Sequence, residues 1–565
     1  MLTLIVTEKF SIGQKVAKVL NLDLKTISGY KCFFKENVYI VPLSGHFIKY
    51  NYSEQTKNWK ECSGQDLLTK YNILEIVDTK VKKIIAFFQS EEIQLIIATD
   101  PDDEGEKIGY DFLEKIKVSN TIKKIYRVNL YSLTDGGIKE AFENKHEAPS
   151  SNLAKITTIR HKIDLMWGYA LSRDISLYSW EKNLINRSAL SVGRVQTPLI
   201  GLISMREEEI KNWKVEYFYN IIFELANFKF LLKDAKLLNL EKETADKIIL
   251  KLKSKDYTIT VDQNEQIRRA PLPLNTNSLL KLSGKLKKSV STIAETAEAL
   301  YLKGYITYPR TDNCLFMKDT PYFKIYNYLR SKDIIEEIVN PKYKHKFGNQ
   351  VDHECIMPTT KIPNISEFTD NEKLIYLAIV NSFRETLSDH TIYNLHSIKV
   401  IVKLDNKEVI FETFYTTLIK QGFYLPINLK NEKLKDDLMN YEIKSLDLLN
   451  SETKPPITLS QENLIERMEK LNIGTKSTRG TILKLLYQKK YILGFRPVLS
   501  AKGKILTSII HEIIPECYSG ELTTKMKNDL VILENNIDNL QITFDQYENF
   551  ILSLCKKIGK YGIEP

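Results

Sequence analysis

Gln94-Leu95-Ile96-Ile97-Ala98-Thr99 runs directly into Asp100-Pro101-Asp102-Asp103-Glu104-Gly105-Glu106. The first six residues form an apolar run of strand length, as in a parallel sheet covered on both faces. The next seven form an acidic loop, with a helix expected from Lys107. Leu2–Val6 is a second such run, and it delivers Thr7-Glu8-Lys9 before a helical pattern that starts near Ser11. Val38–Leu43 and Ile122–Asn129 are further strand candidates, and Thr79–Phe88 and Thr134–Asn144 have helical spacing. Alternation of this kind predicts an α/β domain with a mainly parallel sheet over residues 1–148. Sites in such sheets form beyond the carboxyl ends of strands, so Glu8 and the acidic loop are expected to meet.

The whole chain has 565 residues, enough for about three or four domains. Its 43% hydrophobic content excludes a disordered chain. Its net charge of +10 suits a polyanionic partner such as nucleic acid. The six cysteines are scattered without a C-x-x-C, which argues against a zinc ribbon and fits free cytosolic thiols. Charges at Glu8 and Lys9 come too early for a signal peptide, and no apolar run approaches a membrane span of about 18 residues. No G-x-x-x-x-G-K-[ST] phosphate loop occurs, so ATP use is not indicated.

Beyond the first domain, residues 150–212 read as helical, 215–265 as β, 276–390 as mainly helical, 392–426 as β, and the remainder from about 446 as helical. This order implies that the middle helical and β segments are completed by a later return of the chain.

Several constellations carry possible chemistry. Asp100, Asp102 and Glu104 suit Mg²⁺, which takes hard oxygen ligands and keeps several waters. A solvated acidic helix N-terminus, favoured by the helix dipole, explains them equally well. Glu8 at a separate strand end tips the balance toward function, as a general acid or base beside a metal. Arg160 and Asp164 share a helix face, and Arg173 follows. Ser191-Val192-Gly193-Arg194-Val195-Gln196 leads into a helix with Pro198 in its first turn, and Arg194 and Gln196 are phosphate or base donors. An ordinary loop with one arginine reads the same way. Thr475, Thr478 and Arg479 suit a phosphate contact or a polar helix cap. His353 has no second histidine at metal-ligand spacing, and a lone histidine is more often structural. Tyr305-Ile306-Thr307-Tyr308-Pro309-Arg310-Thr311-Asp312 follows a helix that ends at Lys303 with Gly304 as cap. The run reads as a short strand that Pro309 ends. It sets the Tyr308 hydroxyl two residues from a guanidinium. A structural strand end is the simpler reading of these eight residues alone.

Taken together and in order, these motifs resemble the type IA DNA topoisomerases. Glu8-Lys9 looks like the family's first Toprim motif, and Asp100–Glu106 is similar to its D-P-D-R-E-G-E. Ser191–Pro198 matches S-x-G-R-V-Q-T-P, and Ile306–Asp312 matches the active-site I-T-Y-x-R-T-D. His353–Thr359 resembles H-x-A-I-x-P-T, while Lys454-Pro455-Pro456 and Gly474–Arg479 resemble K-P-P and G-x-G-T-x-x-T-R. The likeness spans about residues 3–535. Glu8-Lys9 without a spacer, together with Gly45-His46, looks most like the topoisomerase III branch. Departures are Asp103 for the usual Arg, Phe10 for Pro and Cys355 for Ala. No zinc ribbons follow the core.

The resemblance implies a multidomain α/β fold with helical and β segments enclosing a toroidal hole. The implied domains are a Toprim domain (1–148), a helical gate (149–213 plus 446–565), a β hinge (214–274 plus 392–445) and a tyrosine-bearing helical domain (275–391). It implies Tyr308 as nucleophile, with Glu8, Lys9, Arg310 and His353 as catalytic partners. Glu8, Asp100, Asp102 and Glu104 would hold Mg²⁺. His46, Arg160, Asp164, Arg173, Ser191, Val192, Gly193, Arg194, Val195, Gln196, Thr475, Thr478 and Arg479 would position single-stranded DNA. The implied protein is a monomeric, ATP-independent, cytoplasmic and nucleoid-associated enzyme that leaves the membrane alone. A Toprim nuclease and a catalytically altered single-strand-binding paralogue are the competing readings.

Overall fold

A computed structural model describes the chain except residues 118–121, 147–148, 234–240, 318–319, 339–353, 405–406, 431–437, 476–477 and 564–565. The N-terminal elements are β1 (Leu2–Thr7), α1 (Phe10–Leu20), β2 (Asp23–Ile27), β3 (Tyr30–Lys35), β4 (Val38–Pro42), β5 (Ile48–Asn51), α2 (Gly64–Lys70), β6 (Leu74–Val77), α3 (Thr79–Phe88), β7 (Ile93–Ala98), α4 (Asp103–Ile116), β8 (Ile122–Arg127) and α5 (Asp135–Glu143). One six-stranded sheet runs β2-β3-β4-β1-β7-β8. The pairs β4–β1, β1–β7 and β7–β8 are parallel, as the apolar runs predict. β2 and β3 extend the sheet antiparallel, which the sequence did not announce. The reason is physical: Asp23–Ile27 is an exposed edge strand and lacks the apolar pattern of a buried one.

Leu4 and Val6 of β1 pack on one face of the sheet against α3 and α4, and Ile5 packs on the other. β1 and β7 lie in register with Thr7 opposite Ala98. The next residues of both strands, Glu8 and Thr99-Asp100, therefore leave the sheet side by side. The helix after the acidic loop begins at Asp103, one turn earlier than expected, because the Asp102 side chain caps it by accepting from the Gly105 N–H at 2.9 Å.

The helical domains are α6 (Ser151–Met166), a π-helical turn at Trp167–Leu171, α7 (Ser172–Glu181), α8 (Gln196–Lys211), α9 (Lys242–Lys253), α10 (Thr276–Leu286), α11 (Val290–Lys303), α12 (Tyr322–Arg330), α13 (Asp370–Leu387), α14 (Gln461–Lys470), α15 (Arg479–Gln488), α16 (Ala501–Ile513), α17 (Glu521–Asn535) and α18 (Leu540–Ile563). Apart from α9, their core is continuous with the face of the first sheet that α1 and α5 cover. The β segments are β9 (Tyr217–Leu225), β10 (Phe228–Leu232), β11 (Thr258–Arg268), β12 (Thr391–Leu404), β13 (Lys407–Lys420), β14 (Leu429–Lys430) and β15 (Ile443–Glu452). All seven form one sheet, ordered β11-β12-β13-β10-β9-β15 with β14 on β13. The return of the chain is thus real: strands from 217–268 are completed by strands from 391–452. Within that span α9 packs on the sheet, where the sequence pattern read only as β. β15 also carries the sheet past the expected boundary at 445. Ile221, Phe223, Phe230 and Phe411 centre a hydrophobic core separate from the other two. Among the described residues, no helix is long and apolar enough to cross a membrane.

Tyr305–Asp312 is not a ladder strand. Gly304 closes α11 at φ 80°, as its lack of a Cβ allows. The segment then makes a single isolated bridge, Ile306 to Pro358. Scattered backbone bonds and threonine hydroxyls hold it: the Thr307 N–H donates to the Met357 carbonyl at 3.0 Å, the Thr307 hydroxyl to the Cys355 carbonyl at 2.6 Å, and the Thr276 hydroxyl to the Pro309 carbonyl at 2.8 Å.

One residue sets the shape of the acidic loop. A Cβ on Gly105 would lie 1.9 Å from the Asp100 carbonyl oxygen, whereas a Cβ on Gly136 would meet nothing within 4 Å. Gly105→Ala should therefore destabilise the protein by about 1–3 kcal/mol, read as a lowered thermal midpoint. Gly136→Ala should leave the midpoint unchanged.

Candidate active site

The site forms where the carboxyl ends of β1 and β7 meet the segment after α11. Arg127, at the end of β8, shapes its floor. This buried guanidinium donates to the carbonyls of Thr99 at 3.0 Å, Val128 at 2.8 Å and Asp100 at 2.9 Å, and pairs with Glu106. It thereby fixes the backbone from which Asp100 and Asp102 project.

Tyr308 is 1% exposed and comes from the opposite domain. Its N–H donates to the Tyr131 carbonyl at 3.0 Å, and its ring meets that of Tyr301 edge-on at 5.2 Å. Its hydroxyl donates to Asp102 Oδ2 at 2.9 Å. Burial, then the charges of Asp102 and Asp100, push the phenol well above its ordinary range, and Arg310 opposes them. Arg310 Nη1 lies 3.9 Å from Asp102 Oδ2.

Lys9 bridges the two halves. Its ammonium donates to Asp100 Oδ2 at 2.9 Å and Glu298 Oε1 at 2.8 Å, and lies 3.7 Å from Glu8. Glu298, on α11, also approaches Arg310 Nη2 at 3.5 Å. Beneath them, Glu8 Oε2 and Asp100 Oδ1 are buried without a hydrogen-bond partner. Burial and the neighbouring Asp100 charge raise Glu8 to about 8, and burial likewise raises Asp100.

Glu104 departs from the expected carboxylate set. Being one turn into α4, it points away from Asp100 and Asp102 and pairs with Arg160, with His46 Nε2 at 2.8 Å and with His161 Nε2 at 2.9 Å. Burial alone would raise its carboxyl, but the bonds from His161 and His46 and the Arg160 charge hold it far below the carboxylate range. Glu104, Arg160 and His161 open onto a cavity of about 260 Å³ that Asp164, Arg194, Val195, Thr475 and Thr478 also line. Motifs far apart in sequence therefore share one groove beside the site. Arg194 pairs with Asp164 at 2.8 Å.

The Ser191–Gln196 loop is braced from below. The Ser191 N–H donates to Tyr491 Oη at 2.6 Å, Lys489 donates to Ser191 Oγ at 2.8 Å, and Gln196 bonds back to Ser191. Val192 is buried, with its N–H on Ser172 Oγ at 2.8 Å. The Gly193 N–H is taken by Thr197 Oγ1 at 3.1 Å.

Two arginines expected at the DNA are engaged within the protein. Arg173 is buried and donates to the carbonyls of Cys62 and Thr56 at 2.7 and 2.8 Å. Arg479 is buried against Asn277 Oδ1 at 2.6 Å and the Ile473 carbonyl at 3.2 Å. His353 lies outside the described residues. Sequence reading missed Arg127, Glu298 and His161. Arg127 offered a signal, a cation at the end of a third parallel strand. Glu298 offered none, since it reads as an ordinary helix glutamate.

Comparison with known proteins accords with this geometry. A family model described as DNA topoisomerase matches residues 148–542, and one described as Toprim domain matches residues 3–133. The chain is 30% identical to DNA topoisomerase 1 of Archaeoglobus fulgidus, over 98% of this chain and 84% of that protein. The chain belongs to the type IA DNA topoisomerase family. It is 26% identical to DNA topoisomerase 3 of Staphylococcus epidermidis, over 99% of this chain and 82% of that protein. The full-length topoisomerase I of Thermotoga maritima shares the fold, with a TM-score of 0.75 at 21% identity over 98% of this chain and 90% of that one.

A Toprim domain implies a divalent metal, and the donor set of this topoisomerase fits one. Two orphaned buried carboxylate oxygens, Glu8 Oε2 and Asp100 Oδ1, stand beside Asp102. A cation would supply the missing partner. Without metal the same crowding has a pH signature. Folded Glu8 keeps its proton up to about 8, while the unfolded chain releases it in the ordinary carboxylate range. The native state binds more protons across that window, so stability falls as pH rises through it. In metal-free buffer, Glu8→Gln should flatten the decline in thermal midpoint between about pH 5 and pH 8.

Proposed function

We propose that this topoisomerase cuts and rejoins single-stranded DNA through Tyr308, letting another strand pass through the transient break. The observation that carries the reading is the Tyr308 hydroxyl at 2.9 Å from Asp102 Oδ2, across a domain boundary and beside Lys9 and Arg310. A tyrosine buried for packing alone has no reason to face a carboxylate cluster from another domain.

The phenol attacks a backbone phosphorus, forming a 5′-phosphotyrosyl bond as the bond to the 3′-oxygen breaks. Its proton passes to Asp102, the carboxylate it already addresses. Arg310 and Lys9 offset the charge on phenolate and phosphoryl oxygens. Glu8, raised to about 8 by burial and the Asp100 charge while no cation is bound, donates its proton to the leaving 3′-oxygen and takes it back for resealing. Asp100 and Asp102 would hold Mg²⁺, with Glu8 joining them once it has given up its proton, and the cation would supply charge neutralisation at the reacting phosphate. The phosphotyrosyl bond conserves the energy of the broken one, so the cycle needs no ATP. His353 is proposed as an additional phosphate donor on the strength of the motif alone.

The groove that carries Glu104, Arg160, His161, Asp164 and Arg194 receives the strand upstream of the cut, and His46 and Arg160 reach its phosphates. The braced Ser191–Gln196 loop and the Thr475 and Thr478 turn would shape its far wall. The hinge sheet, with a core of its own, lets the tyrosine domain lift from the Toprim domain. The enzyme is proposed to work as a cytoplasmic monomer on nucleoid DNA. Glu8-Lys9 and Gly45-His46 favour the topoisomerase III branch, while the relatives carry both names.

Tyr308→Phe should abolish relaxation of negatively supercoiled DNA in Mg²⁺ without ATP, while binding single strands as wild type does. Retained relaxation would refute the assignment. Chelation of divalent cations should stop relaxation of the wild-type enzyme.

A further inference from the structure

We propose that Glu298 stands in for the DNA phosphate in the DNA-free enzyme, and that the incoming strand must displace it. The inference rests on the proposed Tyr308 chemistry, because Lys9 and Arg310 are the cations that this chemistry assigns to the scissile phosphate. Both are already engaged by the carboxylate of Glu298. One oxygen, Oε1, accepts from Lys9 at 2.8 Å, and the other, Oε2, lies 3.5 Å from Arg310 Nη2.

A phosphodiester presents the same features: one negative charge shared by two non-bridging oxygens. Exchange of carboxylate for phosphate leaves the charge of the site unchanged. The bridge also lies where a strand can reach it. Its three side chains are 19%, 30% and 34% exposed for Glu298, Lys9 and Arg310, while Asp100 beneath them is 1% exposed.

The bridge ties the turn after β1 of the Toprim domain to α11, beside the bond from Tyr308 to Asp102. Glu298 is therefore a latch. A phosphate and a carboxylate cannot share the two cations without close like-charge repulsion. Entry of the strand thus releases one of the contacts that hold the two halves together. This couples strand binding to freedom of the gate.

The test compares wild type, Glu298→Gln and Glu298→Ala in binding a fluorescent single-stranded oligodeoxynucleotide in EDTA at low salt. Glutamine keeps the shape and loses the charge. Alanine removes the bridge. Both are good helix formers, so α11 is not threatened. Both variants should bind about tenfold tighter, which corresponds to ~1.4 kcal/mol. In Mg²⁺ the KM for relaxation should fall while kcat stays within about threefold, a split that a packing residue would not produce. Glu298→Asp keeps the charge but is too short to span both cations, so it should fall between wild type and glutamine. Unchanged or weaker binding in both variants, or unfolding of both, overturns the proposal. Failure of the underlying reading registers separately, as a wild-type enzyme that forms no covalent adduct at Tyr308.

Discussion

Carboxylates crowded at the ends of two adjacent parallel strands are the constraint on which the rest of this molecule depends. The register that sets Thr7 against Ala98 brings Glu8 and Asp100 together. The cap of α4 adds Asp102. Three carboxyl groups in a largely buried place cannot all ionise without nearby cations. The Toprim half supplies Lys9, and the tyrosine half supplies Arg310. Each half is electrostatically incomplete alone, and closure of the two makes the site.

The same crowding bears on how the halves would part in the proposed cycle. Their contact is partly apolar, with Tyr301, Ile306 and Tyr308 packed in one core with Leu130 and Leu133. It is completed by polar links that a phosphate or a metal can replace. An interface sealed by hydrophobic area alone would open only against its full burial energy. In the proposed cycle the strand that needs the gate open also competes for the charges that keep it shut. The β9–β15 sheet keeps a core separate from both halves, as the proposed hinge motion requires.

The sequence disclosed the buried framework and the motif-bearing ends better than it disclosed the fine structure of the site. β1 and β7 were legible because strands covered on both faces are continuous apolar runs. The β2–β3 hairpin was not, since an exposed edge strand carries no such pattern. Tyr305–Asp312 read as a strand from its aromatic and β-branched residues, but it has no ladder and is held by scattered backbone bonds and threonine hydroxyls. Glu8, Asp100, Asp102 and Tyr308 converge as the motifs imply. Glu104 does not join them, because the helix that begins at Asp103 turns it toward His46, His161 and Arg160. Arg173 and Arg479 sit in motifs that suit phosphate, yet their guanidinium groups serve backbone carbonyls and an asparagine. An arginine in a sequence does not reveal whether it faces solvent. Glu298 was invisible for another reason: its partner Lys9 is 289 residues away.

The central claim is that one bond, from the Tyr308 oxygen to a DNA 5′-phosphate, accounts for the activity. The most direct test is to quench the wild-type enzyme on end-labelled single-stranded DNA with denaturant and to map the attached peptide and DNA end. The account predicts a single adduct at Tyr308 carrying a 5′-phosphate, with a free 3′-hydroxyl on the released fragment. Cleavage with free ends and no adduct, or an adduct at another residue, would contradict it.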